Sequence, residues 1–201
     1  MTASMQRFKV HDLPGMYRVC ADVDARGTVA RQWLHSPELA GHVFVGPYVT
    51  ADPALSWVIA DELGVAGYIL GTADTVDFEM WRETSWYPPL RARHPQREAR
   101  ADGSADDRYL RFMHSPPRAA GAVPAGYPAE LHIKLDPRVA GAGWGRQLVE
   151  ALLGELRRRG VPGIHLGVAA ENANAIAFYA HLGFRTVTQS PGSFSMVKDI
   201  A

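Results

Sequence analysis

The chain has 201 residues, 47% of them apolar, with 21 Lys+Arg against 21 Asp+Glu. That balance gives no net field favouring nucleic acid or an anionic membrane, and no run of roughly eighteen apolar residues marks a transmembrane helix. Cys20 is the single cysteine, which excludes an intramolecular disulfide; with no apolar leader in MTASMQRFKV, the expectation is one cytoplasmic domain over 1–201.

Residues 8–10 read as a first strand. Asp12 is placed to cap a helix with Pro14 in its first turn, carrying Leu13, Met16, Tyr17 and Cys20. Cys20 is expected as a small buried apolar residue. A loop around Gly27 follows, then a stretch over 39–48, opened by Ser36-Pro37-Glu38, that reads as a short helix or a lid edge. Strands over 55–60 and 65–70 form a hairpin about Asp61-Glu62-Leu63-Gly64. The stretch 71–75 ends that hairpin and caps a helix carrying Phe78, Trp81 and Trp86. The long connection 75–128 reads as a helical and loop insertion, with a helix over 105–114 and a Pro-, Gly- and Ala-rich loop over 115–128. Trp81, Trp86 and Tyr87 read first as core and second as the wall of an acceptor pocket.

The stretch 130–184 is the most informative. Leu131, Ile133 and Leu135 alternate with His132 and Lys134, a half-buried strand that Asp136-Pro137 ends. Gly141-Ala142-Gly143-Trp144-Gly145 opens a helix whose Trp144, Leu148, Val149, Leu152, Leu153 and Leu156 form one apolar stripe. Arg157-Arg158-Arg159 and Gly160 close it, the arginines being read as a solvated helix end. Glycines at a helix start let a ligand approach the backbone, and unpaired N–H groups there favour phosphate. A second strand over 164–168 leads to the polar segment Glu171-Asn172-Ala173-Asn174 and a helix carrying Ala175, Ile176, Phe178, Tyr179 and Leu182. Strands over 184–189 and 194–198 finish the chain around Ser190-Pro191-Gly192.

In this order and spacing the stretch resembles the GNAT superfamily of acetyl-CoA-dependent N-acetyltransferases. GAGWGRQL is similar to that family's pyrophosphate loop, and NANAIAFYAHLGF to its second cofactor segment. GYILGTADT, the Trp-rich helix and WYPPLRARHP resemble, over roughly 55–197, the acetyltransferase-like domain attached to O-GlcNAc hydrolases and its free-standing bacterial relatives. The resemblance implies an α/β (α+β) fold with a mixed central sheet flanked by helices and the insertion preceding the cofactor-binding strand. It implies acetyl-CoA as cosubstrate, contacted by Ile133, Leu135, Ala140, Gly141, Ala142, Gly143, Trp144, Gly145, Arg146, Asn172, Asn174, Phe178 and Tyr179. One departure stands beside it: the family's loop usually carries Gln or Arg where this chain has Ala140, and Arg138 or Arg146 is placed to supply the charge.

Acetyl transfer from a thioester to an amine needs a deprotonated amine, a donor for the developing oxyanion and an acid for the leaving thiolate. Tyr179, placed by the resemblance beside the cofactor sulfur, is the candidate acid; the alternative is a phenol that only packs on the sheet. A backbone N–H within 133–135 is the candidate oxyanion donor. Asn172 and Asn174 serve as cofactor contacts, helix caps or both. Glu130 and His132 share a strand face with Lys134 by period two and are the candidate bases, Glu130 directly or through water; a solvated face would read the same. Asp77 and Glu79 are further candidates. His35, His42, His94, His114 and His165 have no metal-ligand spacing, so no metal is predicted.

Two functions fit: an N-acetyltransferase working by direct attack, or an acetyl-CoA-binding module without transfer. Gly141-x-Gly143-x-Gly145 lacks the spacing of a dinucleotide-binding oxidoreductase. The acceptor is a small-molecule or peptide amine, not nucleic acid or membrane, and the C-terminal strands are placed to pair in a homodimer.

Overall fold

The alternating runs hydrogen-bond into one seven-stranded sheet in the computed structural model, which describes residues 2–23, 34–96, 106–116 and 123–200. The strands are β1 (Ser4–Arg7), β2 (Ser56–Asp61), β3 (Gly64–Thr72), β4 (Ala129–Leu135), β5 (Gly163–Ala169), β6 (Arg185–Ser190) and β7 (Ser193–Asp199). Their order is β1-β2-β3-β4-β5-β7-β6, antiparallel throughout except for β4 beside β5.

Helices cover both faces. On one side lie α1 (Leu13–Asp22), α2 (Glu38–Phe44), α3 (Gly46–Ala51), α4 (Thr75–Trp81), α5 (Tyr87–Arg93) and α6 (Asp106–His114). On the other lie α7 (Trp144–Arg158) and α8 (Ala173–His181). Strand alternation divides the side chains between two cores. Trp57 and Ile59 pack towards α7, whose Leu148, Leu152 and Leu156 are buried there, while Val58 packs towards α1 and α2. A bulge breaks the alternation in β3: Ile59 pairs with Gly67 but Ala60 pairs with Val65, leaving Ala66 as the extra residue. Val65 therefore faces α1 and Ala66 the α7 core.

Several local expectations are corrected. The first strand is Ser4–Arg7, because the expected residues 8–10 run into a tight turn in which the Asp12 carboxylate accepts the Lys9 N–H at 2.8 Å. Asp12 thus closes that turn and makes no side-chain cap on α1. The expected helix over 39–48 is two helices, broken at Val45 (φ −126°, ψ −59°). The Trp-rich helix passes through a π-turn over Arg82–Trp86 into α5, which accommodates Pro88 and Pro89 in its first turn. The loop around Gly27, Ala105 and residues 117–122 lie outside the described residues.

The arginines at the end of α7 are exposed, as expected of a solvated helix end, and they are also paired. Glu155, a buried carboxylate, accepts from Arg7 at 2.9 Å, from Arg159 at 3.1 Å and from Arg158, while Arg159 also bonds Asp52 and Arg157 bonds the Ile200 carbonyl at 2.9 Å. This ties α7 to β1 and to the turn after α3. Removing a buried carboxylate leaves its cations unpaired, but these arginines reach water and re-solvate, so the loss falls below that of a fully buried pair. Glu155→Ala is expected to lower unfolding free energy by about 2 kcal/mol in urea titration; an unchanged midpoint would show that the cluster contributes nothing net.

Candidate functional site

β4 and β5 pair only at Ala129↔Ile164 and Glu130↔His165. Beyond that point the strands diverge, and among the described residues no ladder joins them. Backbone N–H and C=O groups on the facing edges are left for another partner. The gap opens a cavity of about 820 Å³ that reaches both faces of the sheet.

The side beneath α7 and α8 is apolar strand and uncapped helix end. Leu131, Ile133 and Leu135 line it, with Leu166 and Val168 across the gap. Gly143 is the N-cap of α7 in the left-handed region (φ +80°), and no side chain caps that helix start. Its first-turn N–H groups therefore lack intrahelical partners and carry the positive end of the helix dipole. Gly145 answers a different need: a Cβ there would lie 3.2 Å from Phe178 Cζ and 3.4 Å from Leu135 Cδ1. Ala140, Gly141, Gly143, Trp144, Gly145 and Arg146 all line the cavity, whereas Ala142 does not. This cradle fits a pyrophosphate. Arg138 does not serve it, being held by Asp61 at 2.9 Å, Asp136 at 2.7 Å and the Val65 carbonyl at 3.1 Å. Arg146 lies at the cavity, paired with Glu150 at 2.7 Å.

α8 supplies the remaining wall. Asn172 caps it, its Oδ1 accepting the Ala175 N–H at 3.0 Å, and Asn172, Asn174, Phe178 and Tyr179 line the cavity. The Tyr179 ring is wedged between Phe178 and Phe184, at 5.2 and 5.4 Å between centroids. Among the described residues its hydroxyl has no hydrogen-bond partner, and burial raises the phenol above its ordinary range.

On the opposite face, the solvated reading of Glu130, His132 and Lys134 is corrected, because α1 to α4 and α6 cover that side. His132 lines the cavity, stacks on Phe44 (5.4 Å, 15° between planes) and lies 3.2 Å from the Tyr68 hydroxyl. Burial, with the Lys134 ammonium second, pushes its imidazole down to about 3. Lys134 donates to the Cys20 carbonyl at 2.8 Å and to the Val23 carbonyl. Cys20 is buried and its thiol is raised by burial. Glu130 stands at the last ladder pair and does not line the cavity. Its carboxylate accepts the Tyr48 hydroxyl at 3.4 Å, and burial raises it against the opposing pull of His165 and Arg82.

Asp77 and Glu79 are away from the cavity, Glu79 pairing with buried Arg82. Trp81, Trp86 and Tyr87 belong to the second core, with Trp86 Nε1 donating to the His42 carbonyl at 2.9 Å. Among the described residues no three His, Cys, Asp or Glu side chains cluster to hold a metal. Val23, Phe44, Arg108 and Tyr109 line the cavity without having been singled out in the sequence. Phe44, Arg108 and Tyr109 come from helices and Val23 from the residue after α1, all remote in sequence from β4, and no local spacing marks them.

His132 gives a pH signature. Its ordinary value in the unfolded chain is about 6.5, so between there and about 3 the unfolded state binds the extra proton. Stability is lost as pH falls through that window, at up to about 1.4 kcal/mol per pH unit. His132→Gln should flatten the stability–pH curve below pH ~6.5 by that slope, measured by urea unfolding at several pH values; parallel curves would mean that the imidazole protonates freely in the native state.

Residues 28–184 match the Acetyltransferase (GNAT) family. Protein O-GlcNAcase of Rattus norvegicus is 24% identical over 187 residues, covering 90% of this chain and 20% of its own length. Mycothiol acetyltransferase of Nocardiopsis dassonvillei is 30% identical over 157 residues, covering 74% of this chain and 44% of its own length. The crystal structure of SsHAT superposes with a TM-score of 0.88 at 31% identity, covering 100% of both chains. The chain thus spans about a fifth of the one curated relative and under half of the other. Among the described residues no helix is long and apolar enough to cross a membrane. With the uncapped glycine turn beside a broken β4–β5 ladder, and the family match running through both, the chain belongs to the acetyltransferase (GNAT) family of acyltransferases, whose cosubstrate is acetyl-CoA.

Proposed function

We propose that residues 1–201 act as one N-acetyltransferase unit, moving acetyl from acetyl-CoA to a primary amine by direct attack. The observation that carries this reading is that one cavity joins the uncapped start of α7 on one face of the sheet to His132 on the other. N–H groups of Gly141 and of 143–146 hold the pyrophosphate, with Arg146 as the nearby cation. The unpaired edge of β4, through Ile133 and Leu135, holds the pantetheine arm, and Asn172, Asn174 and Phe178 border it. A backbone N–H within 133–135 meets the developing oxyanion. The amine lone pair forms the new C–N bond, the C–S bond breaks, and the departing sulfur takes a proton from the cavity-lining Tyr179, whose hydroxyl has no hydrogen-bond partner among the described residues.

The amine must also shed a proton. A base works best when its pKa approaches the operating pH. Glu130 is shifted towards that range and His132 away from it. Glu130, reached through water, is therefore the stronger proton acceptor, and His132 a neutral polar contact that orients the amine.

A second reading keeps cosubstrate binding without transfer. It is favoured by Ala140 together with the commitment of Arg138 to Asp61, which leaves the loop short of cations. Calorimetric titration with acetyl-CoA and single-turnover assays over an amine panel separate the two. Tyr179→Phe is expected to lower turnover on the order of 10²-fold with acetyl-CoA affinity unchanged. Undiminished turnover would remove Tyr179 from the mechanism, and binding without turnover on any amine would favour the second reading.

A further inference from the structure

One row of ladder partners crosses the sheet where β4 and β5 part: Thr72, Glu130, His165, Val197 and Arg185. Partners in register point to the same face, so Glu130 and His165 stand side by side on strands about 4.8 Å apart. One water spans such a gap between side chains. The imidazole is held from behind. Its Nδ1 lies 2.7 Å from the Tyr127 carbonyl. A carbonyl only accepts, so Nδ1 carries the hydrogen and in the neutral ring Nε2 keeps the lone pair. His165 is half-buried, and among the described residues its Nε2 has no hydrogen-bond partner.

The other groups around Glu130 are committed. Thr72 gives its hydroxyl to the Asp74 carbonyl at 3.0 Å. Tyr48 donates to Glu130 at 3.4 Å, and burial holds that phenol well above its ordinary range, so it keeps its proton. Glu79 on α4 and Arg82 in the turn after it act on Glu130 through space and are bonded to each other. On the far side of the imidazole Val197 is apolar, while Arg185 and Asp199 are both held by the Tyr127 hydroxyl, at 2.5 and 2.9 Å. Among the described residues this leaves His165 as the neighbour of Glu130 with an uncommitted basic lone pair.

We propose that Glu130 and His165 work as one proton-accepting pair, His165 acting only through Glu130 and never touching the amine. This rests on the proposed role of Glu130 as base. The amine's proton passes through water to the Glu130 carboxylate. Glu130 hands one proton to Nε2 and is a carboxylate again, and the imidazolium releases that proton to solvent, which restores the neutral ring. An imidazole is ordinarily a stronger base than a carboxylate, so the pair takes up its first proton at higher pH than Glu130 would alone.

The test is the pH dependence of kcat for the full chain, with saturating acetyl-CoA and the best acceptor of an amine panel. Two interacting groups bind protons in two steps, and removing one group leaves a single step between them. His165→Asn keeps a donor for the Tyr127 carbonyl and removes Nε2. It should therefore move the acidic limb to lower pH and reduce the plateau roughly 10-fold, short of the 10²–10⁴ of a whole general base. A merely structural role would reduce the plateau with the limb unmoved, and an unmoved limb overturns the inference. If Glu130→Gln still abolishes turnover in that case, the base role of Glu130 survives. If Glu130→Gln turns over like the wild type, both readings fall. Where no amine is turned over, or His165→Asn does not fold, NMR titration of the His165 ring in the wild type and in Glu130→Gln decides. A titration displaced to lower pH in Glu130→Gln, the carboxylate having favoured the imidazolium, supports the pair; superimposable curves overturn it.

Discussion

Two central strands that share only two ladder positions must leave the rest of their facing edges without hydrogen bonds. Buried backbone groups do not stay unpaired cheaply, so the surrounding structure has to hold the gap open and a ligand has to repay it. β3 holds β4 along six register positions, and β7 holds β5 along seven. Each strand is therefore rigid on its outer side while the inner sides part. The gap is a property of two well-anchored half-sheets, and everything proposed for the site follows from what projects into it.

The two faces of the sheet then divide the work. α7 and α8 bring backbone donors, a phenol and small residues to one face; Gly145 lets α7 approach Phe178 and Leu135 closely enough to shape that wall. The other face is roofed by helices of the first half of the chain and by α6, and it presents aromatic rings and cations. His132 and Leu131 are chain neighbours yet serve opposite faces, because strand side chains alternate. Phe44 stacks on His132 and meets Tyr109 edge-on, and burial in that wall lowers the His132 imidazole pKa.

The parts that were legible in the sequence are those governed by local periodicity. The stripe of Leu148, Leu152 and Leu156, the hairpin around Gly64 and the glycine turn before α7 follow from spacing alone. The family resemblance rested on the same continuous stretch, and the match over 28–184 agrees with it. What could not be read was long-range: that Lys134 reaches the end of α1, that Arg138 is spent on Asp61, that α6 places Arg108 beside β4's face. Polar residues on a strand look alike in sequence whether water or helices cover them, and so Glu130 and His132 read as equivalent. Their separation, one in the cavity and one behind Tyr48, is a consequence of where α2 and α3 lie. The break at Val45 and the π-turn after α4 are likewise invisible to a 3.6-residue pattern.

The bulge at Ala66 has a bearing on the opposite end of the neighbouring strand. Its carbonyl accepts the Asp136 N–H at 2.8 Å, at the first residue beyond β4, and the adjacent turn holds Arg138 through Asp61. The path from β4 into the glycine turn is thus moored at two points to a hairpin that does not line the cavity. The hairpin acts as a fixed datum from which the loop's position is set. Sequence drift in residues 61–66 would therefore shift the glycine turn, and with it the cosubstrate contacts proposed for it.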